Sequence, residues 1–254
     1  MKAYAKANIF LKLIGLDNRK YHLLNSRFIL LEQFYDELYL SDEKTKEGFE
    51  IISEFNCEHN IIKKAYFLLC EFGYKNELEE LFKNKSLKLI KNIPIGAGLG
   101  GGSSDCATFL IMINEILNLQ LSTQKLINLS TKLGSDIAFF LSGFESANVS
   151  GCGEIIKPFE DEIPNIHWTF PQIFCDTAKV YKEFDKKPLD FNTNFKQAEI
   201  YQNLTTKELL ERYKNVELND LFTPCVSLYP KMSVYLNEDY FLSGSGSSIF
   251  KVDL

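Results

Sequence analysis

The sequence predicts an α+β protein of two lobes. Apolar runs typical of strands and helical repeats of apolar residues both occur, without the regular strand–helix alternation of a parallel sheet. A chain of 254 residues is long enough for one large core or two modest ones. We expect an N-terminal lobe over residues 1–150 and a C-terminal lobe over residues 151–254, with the boundary set to within about ten residues.

Several segments of the sequence are predicted to form strands. Residues 3–14 and 26–40 mix alternation with continuous apolar runs, which is typical of strands with one or both faces buried. The polar stretch 17–20 between them predicts a turn. Residues 86–91 alternate and lead into Asn92-Ile93-Pro94. A strand pair is expected over 144–157 and a last strand over 249–252.

Four segments repeat apolar residues at helical spacing. The first covers residues 60–72 and starts at Asn60, and the second covers about 104–118. The third runs over 122–133, with Ser122 as its cap and Gly134 as its stop. The fourth covers residues 205–214.

Composition excludes several classes of protein. A net charge of −6 argues against nucleic-acid binding, which needs a basic surface. No run approaches 18 apolar residues and the N-terminus lacks a signal-peptide pattern, so we expect a cytoplasmic protein without membrane contact. Six cysteines occur without a C-x-x-C pair, so no zinc site is indicated. Most are expected to be free thiols, several of them buried.

The glycine-rich stretch from Pro94 to Asp105 is the most informative. Five of the seven residues 96–102 are glycine, between a predicted strand and a predicted helix. Glycines let successive main-chain N–H groups approach one anion, and the helix start adds free N–H groups and a positive dipole end. The sequence therefore predicts a phosphate cradle, to which Ser103 and Ser104 can contribute hydroxyls.

Two other phosphate loops fit less well. A Walker A loop ends in Gly-Lys-Ser/Thr, and no lysine follows these glycines. The spacing Gly96-x-Gly98-x-x-Gly101 matches a dinucleotide fingerprint, but the acidic residue expected about twenty positions later is missing. A flexible loop without ligand is the remaining alternative, and the apolar helix directly after the glycines argues against it.

The stretch from Pro94 to Asp105 resembles the phosphate-binding motif of the GHMP kinases. Its triple glycine before Ser-Ser-Asp is similar to one branch of that family, whose small-molecule alcohol carries a cytosine. The resemblance implies an N-terminal lobe like ribosomal protein S5 domain 2, a ferredoxin-like C-terminal lobe, and ATP with Mg²⁺. It assigns ATP binding to Pro94, Ile95, Gly96, Ala97, Gly98, Leu99, Gly100, Gly101, Gly102, Ser103 and Ser104.

The resemblance also implies a catalytic pair. The segment 134–140 is similar to the one that carries the family's general base, which makes Asp136 the group that takes the hydroxyl proton. Lys6, in a segment similar to the family's N-terminal one, is expected to hold that carboxylate ionised. Without the resemblance, the residue types favour a helix cap for Asp136 and a solvated surface charge for Lys6. Family prolines are replaced by Ala138 and Tyr4.

Substrate contacts follow from the same resemblance. Tyr21 and His22 are expected to meet the cytosine, beside Lys20, which stands where the family has glycine. Asn8 and Phe174 are expected to bind substrate as well. The alternative for Tyr21 and His22 is half-buried packing beside the strand, and the alternative for Phe174 is ordinary core.

The segment 242–248 resembles a third family motif, a loop that closes on the phosphates through Gly244, Ser245 and Gly246. A disordered tail is the competing interpretation. The resemblance implies a kinase that phosphorylates a hydroxyl of the cytosine-bearing alcohol. Three other functions stay open: a homoserine- or mevalonate-type kinase of the family, a silent nucleotide-binding regulator, and an oxidoreductase that rests only on the accidental fingerprint. No metal-ligand set and no oligomeric state are predicted.

Overall fold

The computed structural model describes residues 1–54, 60–186, 190–236 and 239–253, and it confirms the mixed α and β composition. Two compact units share the chain. Unit A comprises Met1–Ala5, Leu31–Ile93 and Gly101–Gly143; unit B comprises Lys6–Leu30, Pro94–Gly100 and Phe144–Leu254. Both units are therefore discontinuous in sequence. Their last junction lies within ten residues of position 150, where the domain boundary stays a prediction.

The predicted strands are present, and three short ones join them. The strands are β1 (Lys2–Leu16), β2 (His22–Ser41), β3 (Ile51–Ile52), β4 (Ser86–Ile90), β5 (Ser146–Gly151), β6 (Ile155–Pro158), β7 (Ile166–Thr169), β8 (Phe241–Leu242) and β9 (Ile249–Val252). Strands β1 and β2 pair with each other and run through both units. The polar turn between them is where the sequence predicted it.

Helices are more numerous than the periodicity predicted. They are α1 (Ile61–Leu69), α2 (Lys75–Leu81), α3 (Gly101–Ile116), α4 (Thr123–Ser130), α5 (Ile137–Ser142), α6 (Thr177–Phe184), α7 (Phe191–Tyr201), α8 (Thr206–Arg212), α9 (Asn215–Leu218), α10 (Phe222–Leu228) and α11 (Ser233–Leu236). A π turn, Cys70–Tyr74, joins α1 to α2. A 3-10 turn, Pro230–Met232, precedes α11.

Two predicted helix boundaries were wrong. Helix α3 begins at Gly101 rather than 104, because the left-handed backbone ends at Gly100 and the next two glycines already have helical geometry. Helix α4 ends at Ser130, three residues before the predicted end, and turns fill the space up to Gly134. The predicted starts at Asn60 and Ser122 are confirmed, because both side chains accept main-chain N–H groups. The Thr205 side chain, which was not predicted as a cap, caps α8 in the same way.

Unit A is built from a small sheet and a helical layer. Strand β4 pairs antiparallel with the end of β2, where Leu38 lies opposite Leu89, and parallel with β3. Helices α1 and α5 pack against α3, and α4 packs against α5. Apolar side chains from these helices and strands, such as Phe82 and Phe109, form one continuous core. This core supports the first turns of α3.

Unit B contains two sheets. The first half of β2 pairs antiparallel with β5, which pairs with β6, and Phe28 lies opposite Ala147. Strand β9 lies between β7 and β8 in an antiparallel sheet of three. Tyr201 is buried and packs edge-on against Phe10 of β1 at 5.6 Å between ring centres. Long-range packing therefore joins the start of the chain to its last third within this unit.

The cysteines in the described part of the chain are free thiols, as expected. Cys106, Cys175 and Cys225 are buried, whereas Cys70 and Cys152 are half-buried. Cys57 and His59 lie outside the described residues. Among the described helices, none combines the length and apolarity that crossing a bilayer requires.

A buried ion pair ties unit B together. The guanidinium of Arg27 donates to Asp161 at 3.2 Å and to the carbonyl groups of Gln202 and Leu204. Both charged side chains are at most 1% exposed. Asp161 also accepts from the main chain and hydroxyl of Thr206 at 2.6 and 2.7 Å. Burial lowers the pKa of Arg27, and the Asp161 charge opposes that shift.

Replacing Asp161 with alanine is expected to destabilise the protein by about 3–5 kcal/mol, because it leaves the Arg27 cation buried without its counter-charge. Urea unfolding measures the loss. The neighbouring Glu162→Ala variant is the matched control, since Glu162 pairs with Lys207 at an exposed site and its loss should cost at most about 1 kcal/mol. Equal losses in the two variants would contradict this account.

Candidate active site

The first part of the predicted phosphate-binding stretch 94–104, residues 94–100, is called the phosphate loop below; it lies in unit B and leaves no room for a side chain at its centre. Gly96, Gly98 and Gly100 have φ of +70°, +76° and +69°. A Cβ at Gly98 would lie 2.4 Å from the carbonyl oxygen of Ser243. Gly98 is therefore required twice, for its backbone conformation and for a close approach of two main chains.

Helix α3 begins where this loop ends, and it belongs to unit A. Its first N–H groups have no partner within the helix and sit at the positive end of its dipole. Ser104 is 1% exposed, Ser103 is half-buried, and a Cβ at Gly102 would meet nothing within 4 Å. The start of α3 thus combines free donors with open space, as an anion site needs.

The loop at Gly244–Gly246 is an ordered turn rather than a disordered tail. Ser243 donates from its main chain to Ser248 at 3.0 Å, and Gly246 donates to Ser243 at 3.1 Å. Two further bonds reach the phosphate loop: Ser248 N–H to Ala97 at 3.0 Å, and the Ser243 hydroxyl to the carbonyl of Gly98 at 3.2 Å. The two glycine loops therefore form one hydrogen-bonded structure in unit B.

Lys6 is buried beside the phosphate loop, with 3% of its surface exposed. Its main-chain N–H donates to Leu99 at 3.0 Å. Its ammonium group donates to the side-chain oxygen of Asn8 at 2.6 Å, lies 3.4 Å from the Gly98 carbonyl oxygen, and sits 4.5 Å from the centre of the Phe28 ring. Lys6 is therefore not a solvated charge, and dipoles and a π face hold it in place.

Asn8 connects Lys6 to Ser243, the residue before the second glycine loop. Its side chain accepts from Lys6 and donates to the Ser26 hydroxyl at 3.0 Å, while its main chain donates to the Ser243 hydroxyl at 3.2 Å. Sequence reasoning missed Ser26 and Ser243, because a single serine in a strand or beside a glycine carries no signal of its own. The structure makes Asn8 an organiser of Lys6.

Asp136 lies in unit A at the residue before helix α5. It is half-buried and its side chain makes no capping hydrogen bond to the helix, so the capping alternative has no support. Ala138, which stands where the family has proline, is buried inside α5. The pairing of Asp136 with Lys6 stays a prediction.

Tyr21 is presented by a tight turn. Its side chain is 63% exposed, and Lys20 before it has a φ of +66°. The carboxylate of Asp17 accepts from the main-chain N–H groups of Arg19 and Tyr21 at 2.8 and 2.9 Å. The Tyr21 N–H bond is the largest cause of the lowered pKa of Asp17. Lys20 thus adopts a left-handed backbone, the conformation glycine favours.

His22 follows as the first residue of β2. Its Nε2 lies 2.7 Å from a carboxylate oxygen of Asp185, and its ring packs near Tyr181 and Phe184 of helix α6. Asp185 was not predicted, because a charged residue after a helix usually indicates only a solvated end. The contact fixes one ring nitrogen and leaves Nδ1 for another partner.

Phe174 is an exposed aromatic beside the phosphate loop, with 64% of its surface accessible. A Cβ at Gly96 would lie 2.4 Å from its ring, so the ring rests against the main chain of that glycine. Phe174 is therefore not core, which was its alternative interpretation. An open ring of this kind is suited to stacking.

The described residues also form a surface cavity of about 720 Å³ that shares no residue with these positions. It is lined by residues 44–48 and by Tyr66, Glu79, Phe82, Lys83 and Asn84. Within the described ranges, no group of three or more His, Cys, Asp or Glu side chains could hold a metal ion.

Known proteins resemble this chain over its full length. The model of the GHMP kinases N terminal domain matches residues 60–144. The 4-diphosphocytidyl-2-C-methyl-D-erythritol kinase of Campylobacter jejuni subsp. jejuni serotype O:6 is 69% identical, over all of both chains.

Two solved structures match the fold. A crystal structure of 4-(cytidine 5'-diphospho)-2C-methyl-D-erythritol kinase aligns with a TM-score of 0.71 at 26% identity, covering 99% of this chain and 89% of the other. The mevalonate kinase of Methanococcus jannaschii aligns at 0.65 with 11% identity, over all of this chain and 90% of that one, and shows the fold alone. The predicted two-lobed fold is confirmed. The chain belongs to the 4-diphosphocytidyl-2-C-methyl-D-erythritol kinases, within the GHMP kinases.

Proposed function

We propose that the protein transfers the γ-phosphate of ATP to the 2-hydroxyl of 4-diphosphocytidyl-2-C-methyl-D-erythritol, giving the 2-phosphate and ADP. The observation that carries the proposal is the glycine loop at 94–100, bonded to a second glycine loop and flanked by the buried ammonium of Lys6. The family relationship supports the choice of alcohol. We infer from this reaction an enzyme of the non-mevalonate isoprenoid pathway that works in the cytoplasm.

The loop fits a nucleotide triphosphate on physical grounds. The position of Gly98 excludes a Cβ, the helix that follows begins with free N–H groups, and Ser103 and Ser104 add hydroxyls. Residues 94–104 would hold the phosphates in this way. Mg²⁺ carried by the nucleotide would neutralise phosphate charge and needs only one or two protein ligands, so the absence of a carboxylate cluster among the described residues does not conflict with it.

The protein's own residues would then handle the proton and the charge. A substrate hydroxyl is a weak nucleophile, and the Asp136 carboxylate would accept its proton as the phosphoryl group moves. The Lys6 ammonium, held by Asn8, would offset negative charge that builds up during transfer. Gly244, Ser245 and Gly246 would close on the phosphates.

Aromatic and polar groups would recognise the cytosine. Tyr21 and Phe174 present exposed rings that can stack on a pyrimidine, and His22 can bond to the base edge through the nitrogen that Asp185 leaves available. These residues favour a cytidine-bearing alcohol over the substrates of homoserine- or mevalonate-type kinases. Lys6 and Asp136 together weigh against a silent regulator.

Incubation of the protein with ATP, Mg²⁺ and a panel of small alcohols tests the function, with ADP release as the readout. We expect release only with 4-diphosphocytidyl-2-C-methyl-D-erythritol. Turnover of homoserine or mevalonate instead would support the other kinases, and ATP binding without turnover of any alcohol would support a regulator.

Gly98→Ala is expected to abolish measurable ATP binding, because the new Cβ would collide with the Ser243 carbonyl and force the two glycine loops apart. Calorimetry measures the affinity. Gly48→Ala is the matched control, since Gly48 has a φ of +74° with nothing within 4 Å of an added Cβ. It should cost stability and leave ATP affinity unchanged. Normal ATP affinity in the Gly98 variant would remove the loop from the site.

Asp136→Asn is expected to lower kcat by on the order of 10²–10⁴ while ATP still binds, because an amide cannot accept the hydroxyl proton. Lys6→Met should also lower kcat, and the double variant should be little worse than the poorer single one if the two act as a unit. Asp190→Asn is the control: Asp190 caps helix α7, where asparagine serves equally well. Near-normal turnover of Asp136→Asn would assign the base elsewhere.

His22→Ala is expected to raise KM for the cytidine-bearing alcohol. The loss of binding free energy should be about 1–3 kcal/mol, because the base loses His22 as its hydrogen-bond partner. ATP affinity should stay nearly constant. Steady-state kinetics with each substrate varied in turn gives both values. Equal weakening of ATP and alcohol would remove His22 from the substrate pocket.

A further inference from the structure

Unit A buries three charged side chains that the chemistry above does not use. The ammonium of Lys91 donates to the carboxylates of Asp36 and Asp105, the latter at 2.7 Å. Asp36 is 0% and Asp105 3% exposed, and the Lys91 side chain is 9% exposed. Asp36 lies on strand β2, Lys91 directly follows strand β4, and Asp105 lies on helix α3. We call these residues the Asp36–Lys91–Asp105 cluster.

The cluster fixes the chain just before the phosphate loop. The second oxygen of Asp36 accepts the main-chain N–H groups of Asn92 and Ile93 at 2.5 and 2.8 Å. The Asn92 side chain donates to the carbonyl of Tyr35 at 3.1 Å. Strand β2 therefore holds residues 91–93 through both main-chain and side-chain bonds.

The same cluster fixes the chain just after the loop. Asp105 lies in the first turns of α3, so its bond to Lys91 ties the helix to the strand end. A Cβ at Gly101 would lie 3.0 Å from Ile93 and 3.4 Å from the Lys91 nitrogen. The residues on the two sides of the loop, Ile93 and Gly101, are thus in contact.

Stability alone does not explain this arrangement. One cation between two carboxylates leaves excess negative charge, and one buried oxygen of Asp105 has no hydrogen-bond partner among the described residues. Burial is the largest influence on the pKa of Asp105 and raises it to about 7. The Lys91 charge opposes this rise, and the Asp36 charge adds to it. Apolar residues of similar volume commonly stabilise a core as well as buried ions do. The cluster lies at both ends of one loop, and this position indicates a role in holding the loop.

We propose that the Asp36–Lys91–Asp105 cluster is a clasp that holds the two ends of the phosphate loop at a fixed separation. The main-chain N–H groups of residues 95–100 are then aimed before the triphosphate arrives, which avoids an ordering cost on binding. Asp36, Lys91 and Asp105 are positioning residues that act through the loop. This inference rests on the proposed binding of ATP by the loop.

Asp105→Ala cuts the tie to α3 and leaves Lys91 paired with Asp36, so the fold should persist. We expect faster hydrogen exchange at the amides of residues 95–100 in the free protein. We also expect ATP affinity to fall on the order of 10–100-fold, as a small misplacement of donors produces. Adenosine affinity should not change, because adenosine carries no phosphate. Asp105→Asn should restore most of the affinity, since its amide oxygen still accepts from Lys91.

Lys88→Met is the matched control. Lys88 lies on β4 and forms an exposed ion pair with Glu43 at 3.0 Å, and its loss should alter neither loop exchange nor ATP affinity. Unchanged loop exchange in Asp105→Ala overturns the clasp, and so does a lower Tm with normal ATP affinity in the folded enzyme. A wild-type protein that fails to bind ATP overturns the proposed function instead, while loop exchange still tests the clasp.

Discussion

The carbonyl oxygen of Gly98 is the point on which the organisation of unit B depends. It accepts from the Ser243 hydroxyl at 3.2 Å and lies 3.4 Å from the Lys6 ammonium. The main chain of residue 98 also closely approaches the main chain of residue 243, and a methyl group at residue 98 would prevent that approach. The first strand, the phosphate loop and the last glycine loop therefore cannot change independently, although they are far apart in sequence.

Charge is handled locally in this protein. A chain with a net charge of −6 repels a polyanion at long range, so its binding must come from oriented main-chain donors and a few cations. The structure keeps Lys6 and Lys91 buried and held by named partners rather than exposed on a basic surface. An ammonium group held by hydrogen bonds stays in one orientation, whereas the ammonium of a surface lysine moves as its side chain changes rotamer. That suits a site where charge must be stabilised at one atom.

Sequence predicted those parts of the fold that local physics decides. Capping residues, long alternating strands and the glycine loop carry their own signal, and Asn60 and Ser122 cap as expected. Helix α5 was missed because it is short and continuously apolar, and α2 because a π turn interrupts the repeat at Gly73. Buried charges were missed for another reason: Asp36 and Lys91 look like surface residues until tertiary packing encloses them.

The turn before Tyr21 shows why a departure from a family motif need not change a site. Lys20 holds φ at +66°, which costs a side chain roughly 1–2 kcal/mol where glycine would be free. Asp17 offsets that cost, because its carboxylate accepts from Arg19 and Tyr21 and its main chain exchanges hydrogen bonds with Lys20 and Tyr21. The turn, rather than packing of the ring, therefore sets the direction of Tyr21. What the motif requires at this position is the left-handed backbone, and glycine is only the residue that reaches it most easily.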